Sequence, residues 1–268
     1  MLPRRRFVTS TSAAIAAPLP ATLFSAGDAQ AAAPASTDEL LRQMRARLTA
    51  QLGDAQTAAV LAPHILDFAL SWQAPTAPIA SLNRIVAYAF GNRPNRASGN
   101  TPTDGARQSA LPDPGPVNEQ LADTVAQVHA QNPVPIYAQW EIAHFLKAKH
   151  GITPVVSIDP ITNPDGSITY LSTDGVAAQV VKLEQNKAEA MGTVGVIGFR
   201  DHLKRCVLTS KSRGMRAFAP AGFAMPGDYD PESGQAWTRR RDLYLVHDMS
   251  AQLTALRSQL IAAAYPNG

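Results

Sequence analysis

The strongest constraint on this chain is an alternation that begins near residue 82. Short apolar runs recur, each followed by a longer segment whose apolar residues fall at helical spacing. Residues 85–90, 135–138, 154–158, 193–197 and 216–219 predict strands, and residues 117–130, 141–150, 173–191, 201–212 and 243–264 predict helices. A strand, a crossover helix and a second parallel strand close only with one handedness, and each crossover lays its helix on a face of the sheet. Repetition of that unit predicts an α/β fold, a Rossmann-like three-layer sandwich with a mostly parallel sheet. Asn163-Pro-Asp-Gly166 adds a turn that carries a small hairpin through Tyr170.

Upstream the texture differs. Leu40, Leu41, Met44, Leu48 and Leu52 share one helical face over residues 38–52, with Thr37 as the expected cap and Gly53 as the stop. A second helix is expected from Asp54 or Thr57 to Trp72, interrupted or kinked at Pro63. Residues 73–78 hold two prolines and read as a connector. The chain therefore divides into residues 32–80, a helical extension and linker, and residues 81–268, the α/β domain. Residues 92–116 are polar and rich in proline and glycine, too long for a simple turn.

Residues 1–31 have a different purpose. Arg4, Arg5 and Arg6 precede Phe7, a stretch of small residues follows, and Ala29-Gln30-Ala31 has the pattern that signal peptidase cuts. The arginine pair matches a twin-arginine export signal, so the expected location is periplasmic, with a mature chain starting near Ala32. Removing this segment takes away most of the net +3 charge. The remaining body is nearly neutral and lacks the basic stripe of a nucleic-acid binder. No apolar run is long enough for a transmembrane segment. Cys206, the only cysteine, has no disulfide partner in its own chain and is expected to be buried and inert.

In open parallel sheets ligands bind beyond the carboxyl ends of the strands, beside helix N-termini. The residues just after the expected strands are therefore the candidate site. They are Gly91, Asn92 and Arg93; Gln139, Trp140 and Glu141; Asp159; Ser172 and Thr173 at the next helix start; and Arg200, Asp201, His202 and Arg205. His202 and Arg205 share a helical face, one able to move protons near neutral pH and the other to grip an anion. Asp201 either caps its helix or joins that cluster. Trp140 either stacks on a ligand or plugs the core. Residues 228–230 and 235–239 lie on a late loop that can fold over the rim. There is no dinucleotide fingerprint, Walker sequence, nucleophile elbow or zinc motif, so no cofactor or metal is expected.

Gly91, Glu141 in Gln-Trp-Glu-Ile-Ala, Ser172-Thr173, and His202 with Arg205 resemble, in their succession along the chain, the ElyC/SanA/YdcF family of envelope-associated proteins. The resemblance covers about residues 82–220. The chain departs from the family at Ala138-Gln139-Trp140, where relatives carry Ser-Gly-Gly. It departs again at Thr173-Asp174-Gly175-Val176, where they carry Thr-x-Glu-Asn. The resemblance implies a role in the cell envelope with small-molecule binding, and it supplies no reaction.

Three functions remain open at this stage. The first is a periplasmic protein binding an anionic or glycan-related small molecule at the rim. The second is a hydrolase or transferase using Glu141 or His202 as general acid/base, which predicts a deep pocket where the two approach within about 3–7 Å, directly or through one water. The third is a non-catalytic interaction module with an exposed apolar patch on residues 40–68 and an unknown protein partner.

Overall fold

The computed structural model describes residues 36–95, 111–185 and 190–266. The expected export signal, the middle of the 92–116 stretch and part of the expected 173–191 helix lie outside the described residues. Seven α-helices and eight strands are found among the described residues. The helices are α1 (Thr37–Leu52), α2 (Ala55–Leu70), α3 (Pro116–Gln131), α4 (Trp140–Ala148), α5 (Thr173–Glu184), α6 (Leu203–Ser212) and α7 (Arg241–Ala264). The main sheet is built from β1 (Thr76–Ala77), β2 (Arg84–Ala87), β3 (Ile136–Gln139), β4 (Val155–Ile158), β7 (Thr193–Ile197) and β8 (Arg216–Pro220). A separate antiparallel pair, β5 (Ile161–Thr162) and β6 (Ile168–Thr169), is the hairpin expected around Gly166.

The six main strands run in the order β1-β8-β7-β2-β3-β4, every pairing parallel. The chain is thus an α/β protein with a Rossmann-like sandwich. Alternate residues of β2 show why two helical layers are needed. Ile85 and Ala87 enter one core with α3 and α4, whereas Val86 joins Tyr88, just beyond the strand, in a second core with α5 and α6. Strands buried on both faces read as continuous apolar runs, which is why they were legible as strands. Wound outward in both directions, the strand order reverses between β2 and β7, and the crevice there is the fold's natural ligand position.

Several local expectations are corrected. Residues 73–78 are more than a connector, because β1 lies within them and pairs with β8 at the sheet edge. Its flanking prolines are tolerated there, since an edge strand needs ladder hydrogen bonds on one side only. Pro75 and Ala77 carbonyls accept from the Ala219 and Ala221 amides. Helix α2 runs through Pro63 without a break, and Asp54 caps it. Ser36 rather than Thr37 caps α1. Helix α5 ends at Glu184 rather than near 191. Helix α6 starts at Leu203, so Asp201 is not its cap.

The helical extension is fastened to the α/β body. Lys204 Nζ, buried on α6, donates to the Asp67 and Ser71 carbonyls at the end of α2 and to the Asp67 carboxylate, at 2.6–3.0 Å. The Asp67 carbonyl already accepts from the Ser71 amide, but the Ser71 carbonyl beyond the helix end has no helical donor, so the lysine acts as a cap supplied by another element. On α2, Ala58, Ala62 and Leu66 are buried, whereas α1 buries no residue fully. Cys206 is buried as expected, and burial raises its thiol well above the ordinary value. No helix among the described residues is long and apolar enough to cross a membrane.

Candidate functional site

The β2–β7 crevice opens into a cavity of about 340 Å³. Its making begins with the turn after β2. Asn118, in the first turn of α3, accepts from the Phe90 amide and donates to the Gly91 and Pro114 carbonyls, holding that turn in one shape. Gly91 has φ +64°, and a Cβ there would meet the Ser233 and Thr238 hydroxyls at 2.9 Å. Glycine is therefore required twice, once for the left-handed backbone and once for the close approach of the late loop. The Gln139 side chain accepts from the Ala89 amide at 2.8 Å, tying the ends of β2 and β3 together.

Glu141 sits in the first turn of α4 on one wall and is fully buried. Burial pushes its carboxyl up to about 7, although its own backbone amide, Tyr170 and Asn92 oppose the shift. Its Oε2 has no hydrogen-bond partner among the described residues, and neither does Asn92 Oδ1. A buried oxygen without a donor is costly, and native interiors rarely leave one. Both atoms belong to residues that line the same cavity.

The opposite wall comes from α5, α6 and α7. Arg205 is spread over three partners: Asp248 at 2.5 Å, Tyr244 at 3.0 Å and Thr173 Oγ1 at 3.2 Å. Asp248 also accepts from Tyr244 and from Gln252. Burial favours protonation of Asp248, but His202 and Arg205 outweigh it and hold the carboxyl down to about 2. His202 Nε2 lies 3.3 Å from Thr173 Oγ1, and its Nδ1 lies 3.8 Å from Asp248, beyond direct hydrogen-bond reach. Burial, aided by the Arg205 charge and resisted by Asp248, lowers the imidazole to about 4, so it is neutral at physiological pH.

The remaining lining is aromatic. Trp237 stacks on His247 with centroids 4.8 Å apart, and Tyr244 packs edge-on against Phe90, which itself stacks on Phe199. Trp237 lies on the late loop, which is stapled over the rim. Arg93 pairs bidentately with Asp230, and Tyr229 donates to Asp201.

Of the residues singled out in the sequence, Gly91, Asn92, Gln139, Glu141, Ser172, Thr173, His202 and Arg205 line this one cavity. Glu141 and His202 thus face a common space. The others lie behind it or beside it. Arg93 holds the late loop, and Trp140 donates its indole N–H to Tyr170. Asp159 accepts from Ser157. Arg200 reaches Asp201 and the Gly227 carbonyl, while Asp201 also binds Arg241. Tyr170, Tyr244 and His247 were missed as lining residues. A rule that inspects strand ends has no access to side chains that arrive from a hairpin or from a helix late in the chain. Gln235 and Trp237 do come from the loop expected to fold over the rim.

Among the described residues no group of His, Cys, Asp and Glu side chains is arranged to hold a metal ion. Comparison with family models, with curated proteins and with solved structures gave no match. The site has to be interpreted from its own chemistry.

Proposed function

We propose that this is an exported, periplasmic protein of the cell envelope whose rim cavity binds a small, uncharged, hydroxyl-rich molecule related to glycans. The observation that carries this reading is the pair of unpartnered buried oxygens, Glu141 Oε2 and Asn92 Oδ1. Hydroxyl or amide donors satisfy both, whereas an anion has no donor to offer Asn92 Oδ1. Of the two halves of the sequence expectation, anionic or glycan-related, the second is better supported. Arg200 does not reach the cavity, and Arg205, the cation that does, is already matched by Asp248. Trp237 and Tyr244 supply apolar faces for a sugar ring beside the polar groups that orient it. The export segment and the resemblance to ElyC/SanA/YdcF proteins agree with an envelope ligand.

Calorimetric titration of the chain from residue 32 with neutral sugars, N-acetylated sugars and sugar phosphates tests this. Neutral sugars should bind, and Glu141→Gln should weaken them about tenfold, as the loss of one hydrogen bond to a buried acceptor does. Binding of sugar phosphates alone would overturn the reading.

A second reading, hydrolase or transferase, is favoured by the Glu141 carboxyl. A buried acid poised near 7 exchanges protons readily at neutral pH, as a general acid or base must.

A further inference from the structure

We infer that Thr173 is the nucleophile of an acyl-transfer site, with His202 as its general base and Asp248 as the group that orients His202. The inference rests on the catalytic reading of the cavity and names its reaction, the removal or transfer of an acyl group carried by a hydroxyl-rich substrate.

Hydrogen-bond logic at Thr173 carries the argument. Arg205 Nη1 lies 3.2 Å from Thr173 Oγ1, and a guanidinium only donates, so the threonine oxygen is the acceptor there. The single hydroxyl proton is then free to point at the other neighbour, His202 Nε2 at 3.3 Å. Nε2 accepts that proton, which places the imidazole's own hydrogen on Nδ1. Nδ1 is buried without a hydrogen-bond partner and faces Asp248 Oδ1 at 3.8 Å. Arginine, threonine and histidine thus form one directed chain, in which a hydroxyl donates to a neutral histidine, and the buried Asp248 carboxylate stands behind that histidine without yet bonding to it. That is the arrangement by which a weak alcohol becomes a nucleophile, recognised by geometry and roles rather than by chain position. Catalytic hydrogen bonds are often long in an empty site and tighten when substrate closes it.

The location supplies the rest. Thr173 is the first residue of α5 and lies on the cavity wall. The first-turn amides of Thr173 and Asp174 have no carbonyl to bond within the helix, whereas the Gly175 amide is taken by the Ser172 hydroxyl. Charge that develops on an acyl oxygen beside Thr173 meets these amides and the positive end of the helix.

The step balances within these residues and water. Thr173 Oγ1 bonds to the acyl carbon as its proton passes to His202 Nε2. The bond from that carbon to the departing alcohol oxygen breaks, and His202 returns the proton to that oxygen, leaving an acyl-threonine. Water then attacks the acyl carbon and gives a proton to Nε2. The acid leaves, and the threonine oxygen regains the proton.

The test uses p-nitrophenyl acetate, an activated ester with no sugar, so its outcome is independent of the sugar titration. The chain from residue 32 is mixed with the ester, quenched in acid and mapped by peptide mass spectrometry, while p-nitrophenolate release is followed. An acetyl group on Thr173 is expected, absent in Thr173→Val and retained in Thr173→Ser. His202→Gln should slow p-nitrophenolate release roughly 10²–10⁴-fold, the usual contribution of a general base. Thr173→Val keeps the side-chain shape, and its circular dichroism and melting are compared with the parent protein. Acetyl found only on lysines or elsewhere, or release unchanged in Thr173→Val, would overturn the assignment.

Discussion

Two side chains in the cavity respond to pH in opposite directions. Glu141 has its carboxyl raised to about 7 when folded, against an unperturbed value near 4.5. Its neutral form is the one the fold accommodates, so its contribution is complete below about 4.5 and is lost as pH rises through 7. His202 is lowered to about 4 from 6.5, so its contribution is complete above 6.5 and is lost as pH falls through 4. Shifts of this size each correspond to about 3 kcal/mol at the limit. Between about 4.5 and 6.5 the two slopes oppose and largely cancel, so thermal melts across pH 4–8 should show a broad, shallow maximum centred near pH 5–6. Glu141→Gln should flatten the alkaline side, and His202→Gln should flatten the acid side. A wild-type melting temperature that rises steadily to pH 8 would contradict the Glu141 part. At this scale the site was largely legible in the sequence, because strand ends and helix starts declare their residues. Asp248 was not legible. It lies in the middle of α7, and nothing local distinguishes it from a solvated carboxylate on a helix.

Elements are joined here by side chains that satisfy each other's backbone. Asn118 does this for the turn after β2, and Lys204 does it for the end of α2. Lys204→Met keeps the stem packed on α6 but leaves two α2 carbonyls without their buried donor. The expected loss is about 1–3 kcal/mol, the cost of unmet buried hydrogen bonds. Limited proteolysis should then cut first within residues 53–73, before any cut in the α/β body; an unchanged cleavage order would show that apolar contacts alone hold α2. Such joints explain what the sequence left unread. The pattern of 38–72 announces two helices, but a single lysine on a distant helix settles where they dock. The reach of β1 was hidden for a related reason, since two prolines in six residues argue against a strand everywhere except at an edge.

The whole molecule divides its work between a buried sheet and a rim assembled from distant parts of the chain. Thr173 comes from α5, His202 from the turn that opens α6 and Asp248 from α7, so the cavity exists only once the sandwich is complete. β1 likewise pairs with β8 across most of the chain length. A fold closed by such remote contacts gains little from emerging piecemeal through a membrane pore, and the arginine pair at residues 4 and 5 fits a route that carries folded cargo. Replacing Arg4 and Arg5 by lysine should leave the uncleaved precursor in the cytoplasm, as read by cell fractionation and immunoblotting. Mature protein still recovered from the periplasm would contradict that route. The edge formed by β1 has one more consequence. Pro75 turns its carbonyl toward β8, but Pro78 is out of phase with it and leaves the outer side without an amide hydrogen to offer a neighbouring strand. A second copy meeting the sheet there finds a broken ladder, so that edge resists growing into an aggregate while many copies stand crowded together.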